Sequence, residues 1–241
     1  MEISIIIPTY NESGSIEELL IYLKKHAGSA VADILVVDGQ SSDDTVKRVR
    51  NAGYKCIISQ EKGRAAQMNL GAKQTSGDIL YFVHADSIPP TSFTSDILNA
   101  IQNGAESGCY RFKFNSDRWL LKINAWFTRF DRLMCRGGDQ TLFIKRDVFE
   151  ELSGFRNYEI MEDFEMISRL RDRGTFKILA DDVIVSARKY EENSYLKMNF
   201  INLVIFTMFY FGASKKTMVH AYQQLIAGTK FGRDSTNSSS K

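Results

Sequence analysis

The segment DILYFVHADS, Asp78 to Ser87, limits the choice of fold more than any other stretch of the chain. Its five consecutive apolar residues, Ile79 to Val83, predict a strand buried on both faces, and so a sheet with helices on either side. The run ends abruptly at His84-Ala85-Asp86, ahead of the Pro89-Pro90 breaker. Ligands of open α/β sheets collect at the carboxyl ends of strands. His84 and Asp86, one residue apart and expected on the same side of the pleat, are therefore candidate ligands for a hard divalent cation that carries phosphate oxygens. A loop aspartate capping the next helix would read the same way.

The preceding chain repeats one plan. Ile3 to Ile7 reads as a buried strand that Pro8 stops, and apolar residues at Ile16, Leu19, Leu20 and Leu23 follow with helical spacing. The turn between them lacks GxGxxG and offers Thr9, Tyr10, Asn11 and Glu12, which argues against a dinucleotide and for a ligand read by side chains. Helix capping also accounts for Asn11 and Glu12. In the second unit ILVVDG is a strand, SSDDT opens a helix and Gly53 closes it. With Ser41 or Ser42 available to cap, Asp38 is left over for another task, such as accepting a hydrogen bond from a nucleobase imide. A third strand, Tyr54 to Ser59, leads to a helix that carries Arg64, Gln67 and Asn69 near its start and Gly77 at its end. Strand–helix alternation of this kind predicts a parallel α/β sheet.

Beyond Ala105 the pattern changes. Ala105 to Phe114 reads as a strand, and Trp119 to Met134 as a helix whose rings (Trp119, Trp126, Phe127, Phe130) are expected in the core. The CRGGDQ segment then interrupts the chain with two glycines beside Asp139 and Gln140, a loop suited to close approach of a sugar hydroxyl. Glu162, Asp163 and Glu165 open the next helix, where its dipole alone favours acids. FKILADDVIVSARKY is expected as a strand pair ending in Arg188-Lys189-Tyr190. Leu196 to Phe211 is the most apolar stretch, yet at about 1.5 Å per residue it is too short to span a bilayer core of about 30 Å comfortably. It is expected to bury a broad face against the rest of the chain or a second copy, with peripheral membrane contact as the lesser alternative.

Charge excludes one class of partner: 31 basic residues nearly balance 29 acidic ones and no basic stripe forms, so no nucleic-acid footprint is present. Three well-separated cysteines, Cys56, Cys109 and Cys135, suggest neither a disulfide framework nor a zinc knuckle. With a start, MEISIII, that shows no signal peptide, they lead us to expect a cytoplasmic location. The polar tail at 231–241 is expected to be disordered.

Taken in order, SIIIPTYNE, VVDGQSSDDT, KGRAAQMNLGAKQTSGDILYFVHAD, GGDQTLFIKRDVFEELSGF and MEDFEMISRLRDRG resemble a family 2 glycosyltransferase of GT-A fold, over about residues 3 to 190. The resemblance implies one catalytic domain over 1–230: a nucleotide-sugar half to about 110, an acceptor half to about 190, and apolar helices after it. It assigns the nucleoside to Tyr10, Asn11, Glu12 and Asp38, metal and diphosphate to a DxD-type motif at Asp86, and the base to Glu162 and Asp163. Pro8, Gly39, Arg64, Asn69, Ala85, Gly138, Asp139, Gln140 and Arg188 complete the donor side. His84 replaces the first DxD carboxylate, a ligand that suits Mn²⁺ better than Mg²⁺. The implied reaction moves a sugar from a nucleotide-diphosphate donor to a hydroxyl acceptor with inversion. Alternatives are transfer to a polyprenyl phosphate, which needs no strong base, and non-catalytic nucleotide-sugar binding. A sugar-1-phosphate nucleotidyltransferase is disfavoured, because PTYNESGS has no lysine or arginine for a phosphate loop. A homodimer is left open.

Overall fold

Strand β1 (Ile3–Thr9) is buried along its whole length and forms the axis of the sheet. It pairs in parallel with β2 (Val31–Asp38) on one side and β4 (Ile79–Phe82) on the other, and β2 pairs in parallel with β3 (Lys55–Ile58). The computed structural model describes residues 1–136, 140–191 and 193–227. Pro8 does not stop β1 as the sequence suggests; the strand runs through it to Thr9. The C=O of Ile6 still accepts from Val83 N–H at 3.0 Å, but β4 ends there. Two residues on, Pro8 faces that same side, where no ladder is left for its missing N–H to break.

Helices α1 (Ile16–His26), α2 (Thr45–Asn51) and α3 (Arg64–Lys73) connect these strands. Their apolar residues fill two cores, one on each face of the sheet. Burying an Ile side chain is worth about 1.5–3 kcal/mol, and Ile3, Ile5, Ile6 and Ile7 are all fully buried, so β1 ties both cores together. Helix α3 lies close on the sheet because Gly71 has no side chain: a Cβ there would stand 2.4 Å from Ile6 Cγ2.

The rest of the sheet is mixed. The full order is β3-β2-β1-β4-β7-β6-β8-β5, with β5 (Ser87–Ile88), β6 (Ser107–Phe114), β7 (Leu142–Lys145) and β8 (Phe176–Val185). Strand β7 runs antiparallel to β4 and β6, β6 and β8 are parallel, and β5 closes the edge antiparallel to β8. The expected strand pair at 176–185 is one bent strand. Its register against β6 jumps between Tyr110–Leu179 and Arg111–Asp182, so Ala180 and Asp181 are absorbed as a bulge where no Gly, Pro or Asn offers a turn. Helices α4 (Phe93–Gln102), α6 (Arg146–Glu151) and α7 (Glu162–Asp172) complete the layers.

The helix expected from Trp119 to Met134 ends early: α5 covers Trp119–Phe127, and Leu133–Cys135 forms a separate 3₁₀ turn. Arg136 braces the chain after the stop: its buried guanidinium donates to the carbonyl oxygens of Thr128 and Phe130, just past the end of α5. After the short α8 (Arg188–Glu191), α9 (Tyr195–Tyr210) and α10 (Lys215–Ile226) build a third core with Leu121, Ala187 and Tyr190. Only α9 is apolar in character; α10 begins Lys-Lys and is amphipathic. Among the described residues no helix is long and apolar enough to cross a membrane. The tail from 228 onward lies outside the described residues.

Candidate active site

The parallel strands β1, β2 and β4 end side by side, and their carboxyl ends carry Tyr10 to Glu12, Gly39 to Ser41 and His84 to Asp86. The first two loops are tied to each other. Asn11 donates its N–H to Ser41 Oγ at 2.8 Å, and its Oδ1 accepts from Ser42 N–H at 2.8 Å. Glu12 donates its N–H to Thr45 Oγ1 at 2.9 Å. Asn11 sits at φ 54°, a left-handed conformation asparagine tolerates better than most residues. Pro8 and Gly39 hold the same junction, with Gly39 N–H donating to Thr9 O at 2.8 Å. Gln67, buried on α3, donates to Thr9 O at 2.6 Å and bridges the two strand ends; it lies next in line to the predicted residues but reads in sequence as one more helix position.

Asp38 is not left over, contrary to expectation. It is fully buried and already accepts from Ser41 N–H (2.8 Å), Ser41 Oγ (2.5 Å) and Thr9 Oγ1 (3.2 Å), so it shapes the loop from beneath. Tyr10 is the exposed member of this group. Glu12 reaches across to Arg188, 3.3 Å away, which joins the β1 turn to the chain after β8.

The segment after β4 departs from a pleat. Ser87 N–H donates to His84 O at 3.0 Å, so His84 to Ser87 is a turn and the argument placing His84 and Asp86 on one side fails. Asp86 lines a cavity of about 790 Å³ together with Asp163 and Arg64. His84 and Ala85 are buried, and His84 is not on the wall of that cavity.

The three acids of α7 serve three purposes. Glu165 pairs with Arg156 (3.0 Å) and Arg169 (2.7 Å) and fixes the helix. Glu162 is buried, its Oε1 2.6 Å from Arg64 Nε but without hydrogen-bond alignment, and burial pushes its pKa up, with Asp163 adding and Arg64 opposing. Asp163 alone of the three lines the cavity. Of the expected pair of acids, Asp163 therefore faces the cavity and Glu162 lies buried beside it.

Of the expected donor-side residues that the structure describes, only Arg64 and Asp86 are on the cavity wall; Tyr10, Asn11, Glu12, Asp38, Gly39 and Arg188 are not, nor are Asn69 and Gln140. Asn69 clamps Phe155, donating to its carbonyl at 2.8 Å and accepting from its N–H at 2.9 Å, and lines a different depression. Gln140 is fully buried, donating to Cys135 O at 3.1 Å. Gly138 and Asp139 lie outside the described residues. No thiolate is on offer either, since burial pushes Cys56 and Cys109 up to about 11 and raises Cys135. Sequence reading missed the wall of the cavity: Phe112 and Phe114 from β6, Phe164 from α7, Phe206 from α9 and Tyr222 from α10. Their alternation along β6 is the one signal that could have located them.

Residues 4–158 match the family model for glycosyl transferase family 2. The chain belongs to that family. This family 2 glycosyltransferase is 32% identical over 180 residues to the dolichol-phosphate mannosyltransferase of Pyrococcus furiosus, covering 69% of this chain and 49% of that one. It therefore spans about half the length of that relative. Among solved structures it resembles Staphylococcus aureus TarS 1-349 (TM-score 0.62, 17% identity, 95% of this chain and 73% of that one). It also resembles glucosyl-3-phosphoglycerate synthase of Mycobacterium tuberculosis in complex with Mn²⁺, UDP-glucose and phosphoglyceric acid (TM-score 0.60, 16% identity, 77% and 70%). The fold is GT-A.

Proposed function

We propose that this glycosyltransferase moves a sugar from a nucleotide-diphosphate donor to an acceptor, with Asp163 as the general base and Asp86 at the diphosphate. The observation that carries the reading is that Asp86, in the turn after β4, and Asp163, on α7, line one cavity at the carboxyl end of the parallel strands. Family membership supports the reaction class, and the Mn²⁺ and UDP-glucose named for the mycobacterial structure support the donor type.

A divalent cation fits this site in one form only. Among the described residues no three His, Cys, Asp or Glu side chains cluster as a metal site. One carboxylate completed by diphosphate oxygens and water is how Mg²⁺, and by extension Mn²⁺, is commonly held beside phosphates, and Asp86 supplies that carboxylate. Bound there, the cation would neutralise charge on the departing diphosphate.

The chain's own residues do the rest. Tyr10 is the exposed surface for the nucleoside, over a loop that Asp38 and Asn11 hold in shape. As the bond between the sugar C1 and the diphosphate oxygen breaks, the acceptor oxygen bonds to C1 from the opposite face, through an oxocarbenium-like state. The acceptor hydroxyl proton passes to Asp163, and the electron pair of the broken bond leaves with the diphosphate. Displacement in line inverts the anomeric centre.

A lipid phosphate is the second acceptor reading. Phe127, Phe130 and Leu203 share the cavity wall with Arg132 and Lys189, a lining suited to a molecule with an apolar body and an anionic head. A phosphate oxygen is already ionised, and Asp163 would then matter less. Release of nucleoside diphosphate from a panel of nucleotide sugars, with and without Mn²⁺, tests the reaction class. Release from at least one donor supports it, and no release from any donor under either condition contradicts it.

A further inference from the structure

The aromatic residues expected in the core are instead exposed. On α5, Trp119 is 68% exposed, and Ile123 and Trp126 follow at helical spacing on the same face. On α9, Phe200 is 58% exposed within a stripe of Leu196, Leu203 and Tyr210, while Met198, Ile201 and Ile205 on the opposite side fill the third core. Helix α9 thus carries apolar residues on two opposite sides, of which only one is covered. The two helices are neighbours: Asn124 Nδ2 donates to Asn199 Oδ1 at 3.0 Å, and Tyr195 Oη donates to Asn124 Oδ1 at 2.7 Å. Their exposed faces form one apolar surface that runs into the cavity mouth, where Phe127, Phe130 and Leu203 are both exposed and part of the wall.

Charge says what this surface meets. Over the whole chain acids and bases nearly balance, but residues 117–134 and 195–216 hold Arg118, Lys122, Arg129 and Arg132, then Lys197, Lys215 and Lys216, against two acids, Asp117 and Asp131. All seven cations are exposed; Asp117 is paired with Lys122 at 3.3 Å and Asp131 with Arg171 at 3.1 Å. A helix face of Trp, Phe and Leu bordered by Lys and Arg is the composition that lies in a lipid headgroup layer. A self-association surface so one-sided in charge would set like charges against like.

We infer that the α5–α9 face docks on the surface of an anionic phospholipid bilayer, with the mouth of the active-site cavity turned toward the lipid. The docking itself rests on this surface alone. That the bilayer also delivers the acceptor rests on the transferase reading above.

The chain reports on this directly, because its only two tryptophans are Trp119 and Trp126. Vesicles of phosphatidylcholine containing phosphatidylglycerol should shift tryptophan emission to the blue, and brominated acyl chains should quench it. Pure phosphatidylcholine should do so weakly. Lys122→Gln with Lys197→Gln should weaken vesicle binding about 30-fold, at roughly tenfold or less per cation. Phe200→Gln should weaken it further, while nucleotide-sugar binding without vesicles is unchanged in both variants. Each variant is first checked for unaltered circular dichroism and melting. If brominated lipid leaves the emission of the wild-type chain unquenched at all vesicle compositions, the inference is overturned. A blue shift that instead tracks protein concentration, with a dimer in sedimentation, assigns the face to a second copy and overturns it equally. Since no arm needs turnover, a failure of docking is distinct from a failure of the transferase reading.

Discussion

Arg64 Nε stands 2.6 Å from Glu162 Oε1, and the two partners sit in unlike surroundings: the glutamate side chain is 1% exposed, the arginine 47%. Half of the pair is solvated and half is not. Desolvation therefore falls on Glu162, and its pKa is raised even with a cation beside it.

This sets a pH dependence of stability. A carboxyl whose folded-state pKa lies above the unfolded one holds its proton longer when folded, so its contribution is fully present at low pH and is lost as pH rises through the folded value. Glu162→Gln should remove that loss, so its melting temperature should gain on the wild type steadily as pH climbs above the ordinary carboxyl range. Arg64→Ala, which deletes the guanidinium paired with Glu162, should fall further behind the wild type over the same range. A melting series across pH checks both, and parallel curves for all three proteins would contradict the assignment.

Asp163→Asn keeps the size of the side chain but cannot accept a proton. With a hydroxyl acceptor, transfer should fall by about 10²-fold or more while donor affinity, read by calorimetry, stays the same. Near-normal turnover would favour the lipid phosphate acceptor.

Asn69→Ala should cost stability, about 1–3 kcal/mol, because the backbone N–H and C=O of Phe155 both lose their partner. Donor affinity should not change. A denaturant midpoint beside a binding isotherm separates the two, and loss of donor affinity at unchanged stability would return Asn69 to the site.

Gly71→Ala forces a methyl to within 2.4 Å of Ile6 Cγ2, so α3 must lift from the sheet. Overpacking of this kind costs about 1–3 kcal/mol, read from the denaturant midpoint.

What the sequence made legible follows from what it encodes locally. The buried runs at Ile3 and Ile79 announce strands through composition alone, and the parallel half of the sheet followed from them. The positions of Asp86 just past a strand and of Asp163 in the first turn of a helix were legible, because a buried run ends at the one and a helical pattern starts at the other. The roles of Asp38, His84, Asn69 and Gln140 were not, since each depends on partners between about 3 and 90 positions away that no local pattern names. Trp119 and Trp126 were misread for a related reason: hydrophobic spacing shows that a helix has an apolar face, but not which side of it meets the core.

The central claim is that Asp86 holds the diphosphate end of a nucleotide-sugar donor through a divalent cation. Calorimetric titration of nucleotide sugars into the wild-type chain and Asp86→Ala, each with Mn²⁺ and with Mn²⁺ removed by chelation, tests it most directly. The wild type should bind at least one donor saturably and only with the cation, and Asp86→Ala should lose that cation requirement together with most of the affinity. Equal affinity and an equal Mn²⁺ response in the two proteins would contradict it.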